Sequence, residues 1–346
     1  MHILVTGGAG FVGSHVAEHF ARLGHQVTIL DNFSRNRMLG VNIETRHNLE
    51  YFKKQGLAIK SIEGDIRDLE FIKRNMSDAD AIAHTAAQVA VTSSLKNPRE
   101  DFEVNALGTF NVLEYARLHD CAIAVCSTNK VYGENVNSIP VVERGQRYEF
   151  ADERYREGIP EDFPIDNCGH SPYGCSKASA DLYAQDYAHT YGLRTAVFRM
   201  SCIYGERQLG IEDQGWVAWF AIANQLGIPI TIYGNGKQVR DVLHVSDLVK
   251  AFELFLTRKV SSCVLNIGGG PSNTLSLLEL LTLLKSKTKI RYAKWRAADQ
   301  KVYISNIQRA ATTLDWAPKV GPSDGIAGLS RWVAENHEFI RQTIQA

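Results

Sequence analysis

Short apolar runs rich in β-branched and aliphatic residues alternate with longer segments of helical period through the first two thirds of the chain. Such alternation is the βαβ signature of a parallel sheet, because parallel strands need a crossover and a helix usually supplies it. Strands are predicted at His2 to Val5, Val27 to Leu30, Ala58 to Ile62, Ala81 to Ala83, Ala122 to Cys126, Thr195 to Phe198 and Val264 to Ile267. Between the first two, Val12, Val16, Ala17, Phe20 and Leu23 fall on one helical stripe, with Gly24 following as C-cap. The segment from Asn135 to Ser171 carries acidic, aromatic and proline residues and separates a strand from the helix that follows it. Connections of that length are usually functional. The pattern predicts an α/β fold with a doubly wound parallel sheet.

Composition narrows the partners. The 346 residues include 38 Lys plus Arg and 38 Asp plus Glu, so no basic field draws in nucleic acid or an anionic membrane surface. A small molecule is the expected partner. Six cysteines show no CxxC pair and no metal-ligand spacing. They read as small buried hydrophobes in a reducing compartment, and no metal is expected. Met1 leads straight into an apolar strand without a charged leader or a long apolar run, which makes the cytoplasm the expected location.

The first strand and the striped helix are joined by Thr6-Gly7-Gly8-Ala9-Gly10-Phe11-Val12-Gly13. In that context a glycine pattern marks a dinucleotide-binding turn of a Rossmann sheet. A side chain at Gly7 would obstruct the turn, one at Gly10 would hold a pyrophosphate off the helix N-terminus, and one at Gly13 would push helix from sheet. Phe11 and Val12 open the helix beside the phosphate. Asp31 ends the second strand at the spacing where a carboxylate accepts ribose hydroxyls, which favours NAD over NADP. Arg35 and Arg37 lie near enough to meet a 2′-phosphate instead, and Asn32 and Ser34 share that loop. Asp65 and Ile66, after the third strand, are placed beside the adenine, with turn capping as the plainer role for Asp65. Ala86, Ala87, Gln88 and Asn105 are further cofactor-side candidates, whereas His84 reads as a packed core histidine. The expected division is a dinucleotide domain at 1–198 plus about 241–268, and a smaller C-terminal α/β substrate-binding lobe at 199–240 plus 269–346.

Downstream lie Ser127-Thr-Asn-Lys-Val-Tyr-Gly133 and then Tyr173-Gly-Cys-Ser-Lys177 at a helix start. Residues four apart share a helix face, so Lys177 and Tyr173 point the same way. Glycine turn, STxxxYG and YxxxK in this order resemble the extended short-chain dehydrogenase/reductase superfamily, specifically its NAD-dependent epimerase/dehydratase family. That resemblance implies Tyr173 as the base toward a sugar hydroxyl, Thr128 as its orienting hydrogen-bond partner, and Lys177 as a cation that, with the nicotinamide, lowers the tyrosine pKa. Relatives that eliminate water carry an Asp-Glu pair after the threonine. Here Asn129 and Lys130 stand there, which disfavours elimination.

A finer resemblance, to CDP-paratose 2-epimerases, rests on Arg147-Tyr-Glu-Phe-Ala-Asp152, Ile165-Asp166, His170-Ser-Pro-Tyr173, Asp213-Gln-Gly-Trp216 and Gly236-Lys-Gln-Val-Arg-Asp241. It implies inversion at C2 of a CDP-linked hexose, with NAD tightly held and regenerated each turnover. UDP-sugar 4-epimerases place an asparagine where this chain has Cys202. Substrate candidates are Thr128, Cys202, Gln214, Trp216, Arg240, Arg296 and Asp299, with Arg309 weaker; guanidinium groups pair bidentately with phosphate. Gln214 and Trp216 are assigned to one aromatic-rich helix. The resemblance implies a homodimer or homotetramer, pairing around Asp101 to His119 and Pro172 to Thr190. Rival readings are a UDP-sugar 4-epimerase, a net dehydrogenase and an NAD-binding sensor without catalysis.

Overall fold

The structure, a computed structural model, describes residues 1–39, 45–76, 79–296 and 299–345. The chain divides into two units. The first comprises Met1–Val131, Ser171–Arg199 and Val249–Leu265. Its centre is a seven-stranded sheet built from β1 (His2–Thr6), β2 (Gln26–Asp31), β3 (Ile59–Glu63), β4 (Ala81–His84), β5 (Ala122–Thr128) and strands Thr195–Met200 and Cys263–Ile267. These are the seven predicted strands, with ends displaced by a residue or two; Ala58 lies outside and β3 starts at Ile59. From one edge the order is β3, β2, β1, β4, β5, Thr195–Met200, Cys263–Ile267. The parallel order turns back between β1 and β4, where Thr6 lies opposite both Leu30 and His84. In open α/β sheets that reversal leaves a crevice at the carboxyl ends of the strands, where ligands bind.

Every residue of β5 is buried, as expected of a central strand covered on both faces. Leu4, Leu30, Ile82, Ile123, Val125 and Val197 from the sheet meet Val112, Leu113, Ala116 and Ala184 from helices Gly108–Leu118 and Ser171–Tyr191. Each of these Leu, Ile and Val side chains withdrawn from water contributes about 1.5–3 kcal/mol. The first helix, α1 (Phe11–Arg22), buries Val16, Ala17 and Phe20 as predicted. Leu23 departs from the prediction: it is the C-cap and 51% exposed, because the chain has already left the helical path toward Gly24 at φ +81.

The second unit comprises Tyr132–His170, Met200–Leu248 and Asn266–Ala346. Strands Thr274–Ser276, Val239–His244 and Val302–Tyr303 form a small sheet, and Cys202–Tyr204 pairs in parallel with Val239–His244. Ile230–Tyr233 pairs in parallel with Ile290–Ala293. The inserted segment folds into a hairpin, Val141–Arg144 with Arg147–Phe150, turning at Gly145 with φ +57. This division differs from the sequence boundaries. The insertion joins the second unit because Tyr148 N–H donates to Lys237 O at 2.8 Å, Ile159 N–H to Ile304 O at 2.7 Å, and Tyr132 Oη–H to Asn266 Oδ1 at 2.7 Å. Residues 241–248 group with it too, so this unit is nearer in size to the first than a small lobe.

The cysteine expectation holds for Cys121 and Cys126, which are buried. It fails for Cys175, which is exposed, and for the half-buried Cys168, Cys202 and Cys263. Cys175 lies between Gly174 and Ser176 on the outer side of a helix whose buried face is already filled. No described helix is long and apolar enough to cross a membrane.

Candidate active site

At the turn, Gly7 has φ +68, and a β-carbon there would lie 2.7 Å from the Ala86 backbone. A β-carbon at Gly13 would lie 2.2 Å from Gly7 O, so this glycine lets the helix rest on the turn itself. At Gly10 a β-carbon would meet only Gly7 O, at 3.1 Å; the space beyond is open. Gly10 is the N-cap of α1, no side chain caps that end, and no acid occupies the first turn. Helix N–H groups and the positive end of the dipole therefore face that opening, which is what an anionic pyrophosphate requires. The residues present fit a dinucleotide. Gly8 is a fourth constrained position, 2.4 Å from the Ile29 side chain if given a β-carbon.

Asp31 braces the turn: Oδ2 accepts from Ala9 N–H at 3.0 Å and Oδ1 from Phe33 N–H at 2.8 Å. Burial raises its pKa, and these backbone donors oppose the rise. Asn48, which no motif marks, donates from Nδ2 to Ala9 O at 2.8 Å and holds the same turn. Arg46 stacks on Phe33, with its guanidinium carbon 3.9 Å from the ring centroid. Asn32 Nδ2–H donates to Asp65 at 2.9 Å, and Asn32 Oδ1 accepts from the Ser34 hydroxyl at 2.7 Å. Asp65 takes the plainer role. Although burial works to raise its pKa, hydrogen bonds from Arg67 and Asn32 outweigh it and hold the carboxyl down at about 2. Burial lowers Arg35 to about 10, while Arg37 projects outward. Ile66 is buried.

Gln88 and Asn105 bond to protein groups. Gln88 Nε2–H donates to Asp101 Oδ1 at 2.8 Å and to Ala90 O at 2.9 Å. Asn105, in a π-helical turn Glu103–Leu107, accepts from Gln88 N–H at 2.9 Å and donates to Ser176 Oγ at 3.1 Å. Both are buried, and their polar groups are consumed in tying the loop after β4 to the Ser171–Tyr191 helix. His84 is a core residue as expected, 2.7 Å from Thr6 Oγ1 and 2.9 Å from Thr109 Oγ1, and burial lowers it to about 3.

Thr128, Tyr173 and Lys177 come together at the end of β5. The Thr128 side chain lies beside the Tyr173 hydroxyl, and Lys177 Nζ donates to Cys126 O. All three are buried. Burial pushes the Tyr173 hydroxyl up to about 12, which the Thr128 side chain only partly opposes. The ammonium is directed at a carbonyl, and desolvation lowers its own pKa.

In the second unit, Arg240 ion-pairs with Asp299 at 2.5 Å and donates to Val239 O at 2.7 Å. Arg296 pairs instead with Asp213 at 2.7 Å, and its guanidinium carbon lies 3.9 Å from the Tyr233 ring centroid. Trp216 Nε1–H donates to Cys202 Sγ at 3.3 Å. Gln214 precedes the helix Trp216–Leu226 rather than belonging to it, since Gly215, left-handed at φ 78, stands between them. Trp219 and Phe220 are the packing stripe. Arg309 stands apart, 3.6 Å from Glu161.

This combination of switch-point crevice, anion-seeking turn and buried Thr-Tyr-Lys set belongs to nucleotide-dependent oxidoreductive enzymes. Residues 3–268 match the model of the NAD dependent epimerase/dehydratase family. The chain is a member of that family, whose cofactor is NAD. It is 40% identical to the CDP-paratose 2-epimerase of Salmonella typhi over 351 residues, covering 96% of this chain and 99% of that protein. Among solved structures it is similar to a UDP-glucose 4-epimerase of Thermotoga maritima with UDP-glucose, at TM-score 0.81 and 29% identity, covering 97% of this chain and 100% of that one. A UDP-glucose 4-epimerase of Thermus thermophilus in complex with NAD gives TM-score 0.77 and 29% identity, covering 96% of this chain and 99% of that one.

Proposed function

We propose that the protein inverts C2 of a CDP-linked hexose, of the CDP-paratose to CDP-tyvelose or CDP-glucose to CDP-mannose type, through a 2-keto sugar and without net redox. The observation that carries this reading is the identity of 40% with a CDP-paratose 2-epimerase along nearly the full length of both chains. Asn129 supports it: its Oδ1 accepts from the Thr128 hydroxyl at 3.3 Å, so the position after Thr128 holds an orienting amide and not the acid that elimination needs.

Gly7, Gly10, Gly13 and Asp31 would hold NAD, which would supply a reversible hydride acceptor and a positively charged ring. Tyr173 takes the proton of the C2 hydroxyl and later returns one to the oxygen. Thr128 donates to the same oxygen and fixes its direction. Lys177 holds the register between the Tyr173 helix and β5 through Cys126 O. Arg240 and Arg296 release their carboxylate partners and grip the diphosphate, while Asp299, freed from Arg240, meets the nucleoside ribose. Cys202, Gln214 and Trp216 bound the sugar, and a loosely held hexose turns its other face after oxidation. Six free cysteines suit the reducing cytoplasm. The test is a panel of CDP-, UDP-, GDP- and dTDP-hexoses incubated with the NAD-loaded protein. CDP-sugars alone are expected to yield C2-inverted product; turnover confined to UDP-sugars with C4 inversion would replace this reading by the 4-epimerase.

A further inference from the structure

Along the Ser171–Tyr191 helix, Tyr173, Lys177 and Asp181 follow one another at intervals of four. Each reaches a different residue of the same strand end. Tyr173 lies beside Thr128, Lys177 Nζ donates to Cys126 O, and Ser127 Oγ–H donates to Asp181 Oδ2 at 2.6 Å. The third rung lies deepest. Asp181 is 1% exposed and Arg199, on the neighbouring strand, 3%. Their pairing is bidentate, Nε to Oδ2 at 3.0 Å and Nη2 to Oδ1 at 3.1 Å, and Gln185 Nε2–H adds a bond to Oδ1 at 2.6 Å.

A buried ion pair of this kind returns little net stability, since desolvating both charges consumes most of their attraction. Its worth must lie in what it positions. The groups facing Lys177 are Asp101 from the helix Pro98–Phe102, Asp181 from its own helix, Cys126 from β5 and His84 from β4. His84 is held neutral, and Arg199 offsets Asp181 from the far side.

We propose that the Asp181–Arg199 pair is a positioning device for catalysis: through Ser127 it fixes the strand end that presents Thr128, and through the helix it holds Lys177 in register beside a fixed negative charge. The proposal rests on Thr128, Tyr173 and Lys177 being the catalytic set. Removing the Asp181 charge strips Lys177 of one of its two carboxylate neighbours, so the ammonium gives up its proton at lower pH.

The test uses the full chain with lysines labelled at Cε with carbon-13, the Lys177 signal being assigned by its loss in Lys177→Arg. In Asp181→Asn the Lys177 titration is expected to move down by about one pH unit. The kcat for the CDP-hexose falls on the order of tenfold with KM unchanged, because a small misplacement acts on the reacting geometry. Where Asp181→Asn fails to fold, the neutral pair Asp181→Asn with Arg199→Gln and the single Ser127→Ala stand in. The first is expected to shift Lys177 in the same direction, the second to lower kcat several-fold without changing NAD affinity. An unmoved Lys177 titration in a folded variant overturns the proposal, as does an unchanged kcat. The titration needs no substrate, so it decides the matter even if the CDP-hexose reading fails.

Discussion

At Tyr173 two effects compete, and in the protein alone burial wins. The hydroxyl at about 12 is mostly protonated at neutral pH, so the base becomes competent only when a positive charge joins it in the site. Tyr173→Phe is expected to bind NAD with wild-type affinity by calorimetry and to lose turnover by a factor on the order of a thousand. A variant retaining a tenth of wild-type activity would remove Tyr173 as the base. Thr128, Tyr173 and Lys177 were named from the family resemblance of their motifs, and the structure brings them together at a strand end and a helix start. What spacing did not convey was the environment of each group. That the Lys177 ammonium is directed at Cys126 O, and that Gln88 and Asn105 bond to each other, depends on side chains arriving from distant segments. Asp181 was within reach, four residues past Lys177; its partner Arg199 follows from the adjacency of two strands, which spacing alone does not state.

The glycine turn and its helix act as one element, and the structure separates the roles of two glycines that look alike in sequence. At Gly10 an added methyl meets only Gly7 O at 3.1 Å, while at Gly13 it is driven to 2.2 Å from the same atom. Gly10→Ala is expected to leave the melting temperature nearly unchanged and to weaken NAD binding at least tenfold, by intruding where the pyrophosphate lies. Gly13→Ala is expected to weaken binding and also to destabilise the chain by about 1–3 kcal/mol, the usual cost of overpacking. Calorimetry and thermal melting separate the two; equal melting temperatures for both variants would contradict the account. Most strands of the main sheet were legible because buried parallel strands read as apolar runs, whereas the edge strand β3, partly exposed and carrying Lys60 and Glu63, showed only as Ile59 and Ile62 around polar residues. The hairpin Val141–Arg144 with Arg147–Phe150 was not, since half-exposed, charge-bearing strands carry no clear alternation. Where the insertion belongs is set by long-range hydrogen bonds such as Tyr148 N–H to Lys237 O, which no local pattern announces.

For the whole molecule, His84 is one group that weakens the fold in acid. Its folded pKa of about 3 lies below the unfolded 6.5, so between these values the unfolded chain binds the extra proton. Its contribution is complete above about pH 6.5 and is lost as pH falls toward 3, by up to the order of 5 kcal/mol. His84→Asn should flatten the fall in urea midpoint between pH 7 and pH 4, and parallel curves for the two proteins would contradict this. Exposed Phe102, Leu182 and Tyr183 stand on neighbouring helices of the first unit, and Phe110 packs against Tyr183 with centroids 5.5 Å apart. The family resemblance implies a second copy of the chain on that face. Leu182→Asp with Tyr183→Asp should then sediment as a monomer, and an unaltered dimer would place the contact elsewhere. The proposed reaction changes one carbon of one sugar. Incubation of the NAD-loaded protein with CDP-glucose or CDP-paratose, followed by proton NMR, reads that carbon directly. Inversion at C2 predicts that the H1–H2 coupling changes to the manno pattern while absorbance at 340 nm does not accumulate. An unchanged H2 with inverted H4, or steady growth of NADH, would contradict it.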